Sequence, residues 1–117
     1  MTTIEIVSVP VTDQQASKDF YIKIGFEIII EADMGNGANW VQLGLPGQKT
    51  SITLVNWFKQ MPAGSMQGLV LKSEDIEKEV ADLQAKGVEV KPIDPTPWGR
   101  FASFSDPDGN GLTLWQE

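Results

Sequence analysis

The chain contains an internal repeat whose two copies lie 62 residues apart. Asp13 precedes Gly25 by 12 residues, and Asp75 precedes Gly87 by the same distance. Each glycine is followed by an apolar residue, a glutamate and a second apolar residue. The last apolar segment of each copy also matches, at an offset reduced to 60 residues. A long period that occurs only twice is typical of two copies of one supersecondary unit rather than of a solenoid.

Each copy predicts the same order of elements, strand–helix–strand–strand–strand. Apolar residues at helical spacing predict helices over 13–24 and 75–86, each closed by a glycine. A capping box with Thr12 as the N-cap residue and Gln15 three positions later is predicted to start the first helix. In the second copy we expect a strand over 88–91 and then a stiff, proline-rich loop.

Side chains alternate between the two faces of a strand, so each strand divides into two sets. One helix for four strands can cover only one face of its sheet. The set assigned to the helices is apolar: Val7, Val9, Val41, Leu43, Ile52, Leu54, Leu69, Leu71, Leu112 and Leu114. The other set mixes hydroxyls, small residues and two tryptophans: Ile6, Ser8, Trp40, Gln42, Ser51, Thr53, Val55, Gly68, Val70, Lys72, Thr113 and Trp115. We call the second face the cup face, because its composition is typical of a concave pocket or an interface.

Composition excludes several classes of function. The 117 residues include no cysteine and no histidine, which excludes thiol nucleophiles, zinc–thiolate sites, the Ser-His-Asp triad and every histidine-containing metal site. The net charge of −7 argues against binding to nucleic acids or to anionic lipids. No segment approaches the length of a membrane span. We therefore expect a cytoplasmic protein, and a single domain over 1–117 made of repeats at about 1–57 and 66–117.

Several motifs in order resemble one known family. The opening VPVTD at 9–13, followed by GFE at 25–27, is similar to the start of the vicinal oxygen chelate superfamily. Trp98-Gly99 and the closing DPDGN at 106–110 are similar to the end of that pattern. The superfamily contains glyoxalase I, bleomycin-resistance proteins and extradiol dioxygenases. The resemblance covers essentially the whole chain.

The resemblance implies an α+β fold in which two βαβββ units form an open cup-shaped mixed sheet, with helices on the outer face, and it implies a homodimer. In the family's enzymes the cup holds a divalent metal through one ligand from the first and last strand of each unit. The matching positions here are Ile6, Thr53, Gly68 and Thr113. Because none of them is His, Asp or Glu, they cannot hold a transition metal in competition with water. We therefore predict no metal site, no cofactor and no catalytic residue.

The remaining side chains of the cup favour a binding protein. Large aromatic surface with a few hydroxyls is typical of small-molecule pockets. The predicted ligand-binding residues are Trp40, Gln42, Thr53, Val55, Trp57, Trp98, Thr113 and Trp115. Packing within the core or a dimer is the alternative role of each tryptophan.

Three functions follow from these patterns. The first is a glyoxalase/bleomycin-resistance-like protein without a metal site, which binds a small aromatic molecule in its cup and so could sequester an antibiotic. The second is a metal-dependent lyase or dioxygenase of the same superfamily with non-standard ligands. The third is an interaction module whose cup is filled by side chains. Lys72 is the one titratable side chain predicted on the cup face.

Overall fold

The computed structural model describes residues 1–117 as two βαβββ units in tandem. The first unit consists of β1 (Ile6–Pro10), α1 (Gln14–Lys23), β2 (Glu27–Gly35), β3 (Ala38–Gly44) and β4 (Ser51–Val55). The second unit consists of β5 (Leu69–Lys72), α2 (Ile76–Ala85), β6 (Asp94–Thr96), β7 (Gly99–Ser105) and β8 (Gly111–Gln116). Neither helix has the length and apolar composition that a membrane crossing needs.

Each unit forms its own four-stranded mixed sheet with the same topology. The first sheet has the order β1-β4-β3-β2, and the second sheet has the order β5-β8-β7-β6. In both sheets the first and last strands of the unit pair in parallel, and the remaining pairs are antiparallel. The predicted α+β fold of two repeated units is confirmed.

The strand register confirms the repeat residue by residue. Ser8 pairs with Thr53 in the first sheet, as Val70 pairs with Thr113 in the second. Thr53 also pairs with Gln42 on its other side, whereas Thr113 pairs with Ser103. Equivalent positions of the two cup faces can therefore be compared directly.

The hydrophobic core lies on the helix side of both sheets and is continuous between them. All ten residues that alternation assigned to the helices belong to this core cluster or pack against it. Tyr21 of α1 is fully buried and makes edge-to-face contacts with Phe20 and Phe26, with ring centroids 5.3 Å apart in each pair. The helix-facing sides of both sheets are thus occupied by the core. The two units differ mainly on their cup faces.

The DPDGN turn joins the two units. The buried Asp106 carboxylate accepts hydrogen bonds from the Tyr21 hydroxyl at 2.9 Å and from the Asn110 side-chain amide at 2.8 Å. The same amide donates to the carbonyl of Pro10, at the end of β1. Asp108 accepts from the backbone N–H of Thr12, just before α1. The turn therefore fixes β1 and α1 of the first unit against the second sheet.

Two local predictions are wrong. Residues 88–91 form no strand beyond a single bridge between Val90 and Phe104, and the strand of that region is β6, inside the proline-rich segment. Proline lacks the N–H that a continuous ladder requires, so the pairing along β7 is interrupted at Pro92 and resumes at Asp94. The N-cap of α1 is Asp13 rather than Thr12, because the Asp13 carboxylate accepts from the N–H groups of residues 15 and 16.

Candidate functional site

The cup face of the second sheet carries an accessible aromatic surface. Phe101 of β7 pairs directly with Trp115 of β8, so their side chains lie next to each other on one face. Both residues are half-buried. We call this pair the aromatic shelf. Lys72 of β5 pairs with Trp115 on its other side, and its ammonium lies 5.8 Å from the centre of the indole.

The loop before β7 extends this aromatic surface. The indole N–H of Trp115 donates to the backbone carbonyl of Trp98 at 2.9 Å, which fixes the indole against the loop. A side chain at Gly99 would bring its Cβ within 2.6 Å of the Trp115 indole nitrogen, so glycine is required there. Trp98 itself projects into solvent and is 76% exposed. An exposed indole in a fixed loop can contact a ligand without first leaving the core.

Two hydroxyls lie one row further along the same face. Ser103 and Thr113 are direct strand neighbours, and their hydroxyl oxygens are 3.1 Å apart. Both side chains are half-buried. Each hydroxyl can donate one hydrogen bond and accept others, so the pair keeps capacity for a ligand after bonding to itself.

The cup face of the first sheet is closed. Thr53 and Val55 are each 1% exposed, and Gln42 is 7% exposed. The Trp40 indole donates to the Gln42 side-chain carbonyl at 3.1 Å, and the Gln42 amide donates to the Ser51 hydroxyl at 2.8 Å. These groups satisfy one another within the protein rather than facing an open pocket.

The predicted ligand-binding residues therefore fall into two groups. One group, Trp40, Gln42, Thr53 and Val55, lies in the first sheet. The other consists of Thr113 and Trp115 of the second sheet and Trp98 of the loop before β7, whose carbonyl bonds to Trp115. No strand of one sheet pairs with a strand of the other. Trp57 lies in neither sheet; it follows β4 and its ring is 6.0 Å from that of Phe58.

Two residues of the open face escaped the sequence reasoning, Phe101 and Ser103. The strand that holds them contains two phenylalanines that cannot share a face, which left its register open. The structure places Phe104 in the core and Phe101 on the cup face. The repeat held the necessary signal, because Phe101 occupies the position equivalent to Trp40 of the first sheet.

The family's metal positions do not fit a divalent metal in this chain. They are occupied by an exposed isoleucine, a glycine and two threonines, Thr53 and Thr113, of which the second is bonded to a serine hydroxyl. No group of three or more His, Cys, Asp or Glu side chains lies close enough to hold a metal ion. Neutral hydroxyls without a carboxylate or imidazole are poor ligands for transition metals.

The Tyr21 hydroxyl, at the junction of the two units, has a perturbed pKa. Burial raises the pKa of the Tyr21 hydroxyl well above its usual value, and the negative charge of Asp106 and the hydrogen bond to it add to the effect. A tyrosine held in its neutral form, bonded to a carboxylate inside the core, stabilises the fold.

Known proteins resemble this chain over nearly its whole length. Residues 3–114 match the model of the Glyoxalase/Bleomycin resistance protein/Dioxygenase superfamily. TnmS3, described as an antibiotic binding protein from Streptomyces sp. CB03234, is 44% identical, with a TM-score of 0.94 over 99% of this chain and 96% of that chain.

Two further proteins show the same relationship. A superfamily member from Sphaerobacter thermophilus DSM 20745 is 30% identical, with a TM-score of 0.91 over 100% of this chain and 98% of its own. The uncharacterized protein YetH of Bacillus subtilis (strain 168) is 37% identical over 113 residues, which are 92% of each chain. With its repeated βαβββ units and its match to the family model, the chain belongs to the glyoxalase/bleomycin resistance protein/dioxygenase superfamily.

Proposed function

We propose that this protein binds a flat aromatic small molecule on the cup face of its second sheet, and that it sequesters an antibiotic of that kind. The observation that carries the proposal is the accessible aromatic shelf of Phe101 and Trp115, continued by the exposed indole of Trp98. The 44% identity to TnmS3 supports an antibiotic as the ligand, because that relative is described as an antibiotic binding protein.

The aromatic side chains of such a site can supply the free energy that micromolar binding requires. Aromatic stacking contributes roughly 0.5–1.5 kcal/mol per pair beyond the burial of area. Micromolar binding requires about 8 kcal/mol, which burial of a drug-sized ring system against three aromatic side chains can supply. Pro95 and Pro97 restrict the loop that carries Trp98, so less conformational entropy is lost when a ligand is held there.

The proposal assigns different roles to the two groups of predicted residues. Trp98, Thr113 and Trp115 contact the ligand. Thr53 and Val55 have almost no exposed surface. The side-chain oxygen of Gln42 accepts a hydrogen bond from Trp40, and its nitrogen donates one to Ser51. These three residues therefore stabilise the first sheet. The residues at the family's metal positions do not favour metal-dependent lyase or dioxygenase chemistry, because none of them is a good metal ligand.

We also propose that the protein acts as a homodimer, in the cytoplasm. Strand β2 is a nine-residue edge strand with no neighbour on its outer side. Ile28, Ile29 and Ile30 of this strand are 44–50% exposed. Long apolar edge strands pair readily with another chain, so a second copy that covers β2 would remove this liability.

Equilibrium dialysis with flat aromatic probes tests the binding site. The probes are 2-methoxynaphthalene, an anthraquinone sulfonate and an acridine, which differ in charge and share a planar ring system. We expect Trp115→Ala to weaken binding of any probe that binds by tenfold or more, because the variant removes half of the shelf. Trp40→Phe is the control, since it alters the aromatic residue of the closed sheet that is equivalent to Phe101 of the shelf.

Two outcomes would overturn the proposal. One is a folded Trp115→Ala variant that binds the probes as tightly as the unmodified protein. The other is failure of all three probes to bind at millimolar concentration. Near-ultraviolet circular dichroism establishes that each variant is folded. For the homodimer, sedimentation equilibrium that gave a mass of 12.9 kDa at micromolar concentration would contradict the proposal.

A further inference from the structure

We infer that the ligand carries a hydroxyl-rich, uncharged arm, such as a sugar, joined to its aromatic part through a single ether oxygen. This inference rests on the proposed function and deepens it, because it assigns a second chemical group of the ligand to a second region of the same face. The region is a hydrophilic recess beside the aromatic shelf, which we define by Gly68, Lys91, Ser103 and Thr113.

The recess is part of a large open cavity. An open cavity of about 1000 Å³ runs past the ends of β7 and β8, and Gly68, Lys91, Ser103 and Thr113 all line it. Gly68 has no side chain and nothing lies within 4 Å of where its Cβ would be. Gly68 immediately precedes β5, so no side chain fills the cavity at this position.

The strand register fixes the distance between the shelf and the recess. Ser103 is two residues from Phe101 along β7, and Thr113 is two residues from Trp115 along β8. Two residues of a strand span about 7 Å, and both pairs point to the same face. The two regions are therefore about 7 Å apart, a distance that an aromatic ring and a sugar joined to it through an ether oxygen can span, because the hydroxyl groups extend beyond the sugar ring itself.

The chemistry of the recess favours hydroxyl groups over charged groups. Its floor holds the hydroxyl pair of Ser103 and Thr113, 3.1 Å apart, and each hydroxyl is both a donor and an acceptor. Lys91 and Glu89 line the same cavity with opposite charges, so no single sign dominates there. A sugar presents neighbouring hydroxyls that are likewise donors and acceptors, and it satisfies this mixture without the cost of burying a charge.

The shelf alone does not require this arm. The two hydroxyls bond to each other, so one hydroxyl proton of the pair remains free, and a ligand made only of aromatic rings would leave that proton either covered without an acceptor or exposed to water. Covering polar groups without bonding them costs free energy, and sites that bond a ligand hydroxyl discriminate against analogues that lack it. We therefore expect selectivity for the hydroxylated ligand to depend on these two side chains.

Matched probes separate the two parts of the site. Equilibrium dialysis compares 2-naphthyl β-D-glucopyranoside with 2-methoxynaphthalene, which keeps the ring system and the ether oxygen and lacks the sugar. We expect the glucoside to bind at least fivefold more tightly. In the double variant Ser103→Ala with Thr113→Val this ratio should fall to about one. Thr113→Ser, which keeps the hydroxyl, should preserve the ratio, and so should Ser8→Ala, which removes a hydroxyl from the first sheet.

Each result decides between the two proposals. A glucoside that binds no more tightly than the methyl ether overturns the inference and leaves the proposed function standing, because the aromatic part still binds. A ratio above five that the double variant leaves unchanged also overturns it, since the sugar is then held elsewhere. If neither naphthalene probe binds, the inference is overturned. If the anthraquinone sulfonate and the acridine also fail to bind, the proposed function fails with it.

Discussion

The two halves of this molecule share a backbone plan and differ in what their cup faces contain. In the first sheet the central cup-face residues are bonded to one another, and Thr53 is 1% exposed. In the second sheet the equivalent Thr113 is half-buried beside an aromatic shelf and an open cavity. The same pairing geometry therefore supports one closed face and one open face.

A few substitutions at equivalent positions account for this difference. Gln42 of the first sheet bonds to both Trp40 and Ser51, whereas Ser103 of the second is short and its equivalent neighbours, Phe101 and Gly111, offer no polar side chain. Val55 is small and buried where the second sheet carries Trp115. Duplication supplies the scaffold twice, and side-chain length decides which copy keeps an accessible face.

Asp106→Ala tests the junction that holds the two halves together, and we expect it to have the largest effect. The Asp106 carboxylate accepts hydrogen bonds from the Tyr21 hydroxyl, the Asn110 amide and two backbone N–H groups of its own turn. Removing it leaves buried donors without an acceptor, which should lower the free energy of unfolding by about 3–5 kcal/mol. Urea unfolding followed by tryptophan fluorescence measures this.

The control for this junction variant is Asp94→Ala, which removes an exposed carboxylate that forms no ion pair. We expect that change to alter the unfolding free energy by less than about 0.5 kcal/mol. A loss below about 1 kcal/mol for Asp106→Ala would show that the junction is not what couples the halves.

Removing one polar side chain from each cup face compares the faces directly. Gln42→Ala leaves the Trp40 indole N–H without its acceptor and the Ser51 hydroxyl without its donor, and it truncates a buried side chain. We expect a loss of about 2 kcal/mol in unfolding free energy. Ser103→Ala, at the equivalent position, removes one hydroxyl contact on a half-buried face and should cost about 0.5 kcal/mol. Equal costs, measured by urea unfolding, would mean that the two faces are equally closed.

Tyr21 is the one tyrosine of the chain, so its titration can be followed by the tyrosinate absorbance band. Burial and the neighbouring Asp106 raise its pKa in the folded state. Above pH of about 10 the unfolded tyrosine releases a proton that the folded one retains, so base favours unfolding. We expect stability to fall by about 1.4 kcal/mol per pH unit in that range, relative to Tyr21→Phe. A tyrosinate signal that appears near pH 10 without unfolding would refute the buried hydrogen bond.

Much of the fold could be predicted from the sequence because it depends on local patterns. Strand alternation placed all ten helix-facing residues correctly, since one buried face fixes the phase of a strand. The repeat located both helices to within one residue of their ends. The strand in the proline-rich segment was missed, because Asp94 pairs with Phe101 only after an interruption that local propensity does not encode.

The candidate site was less accessible to such reasoning. Alternation places Thr53 and Thr113 on equivalent faces, and it says nothing about what covers them. The closure of the first face depends on bonds among Trp40, Gln42 and Ser51, which require the side-chain geometry. The fixed position of Trp115 likewise depends on a bond to the carbonyl of Trp98, 17 residues earlier in the chain.

The smallest expected effect concerns one ion pair in each half, each joining a helix to its sheet. Lys18 of α1 contacts Glu31 of β2 at 2.8 Å, and Arg100 of β7 contacts Glu77 of α2 at 2.6 Å. The Lys18 side chain is 13% exposed, whereas the Arg100 side chain is 37% exposed and Glu77 is 72% exposed. Water and salt screen an exposed pair more strongly, so the pair of the first half should have the larger coupling energy.

Double-mutant cycles measure these couplings, with Lys18→Met and Glu31→Gln in one cycle and Arg100→Met and Glu77→Gln in the other. We expect about 0.5–1 kcal/mol for the first pair and less than about 0.5 kcal/mol for the second. Repeating the cycles in concentrated sodium chloride should abolish the second coupling before the first. A larger coupling in the second half would reverse the comparison, because its exposed arginine would then hold α2 against the open sheet more firmly than Lys18 holds α1 against the closed one.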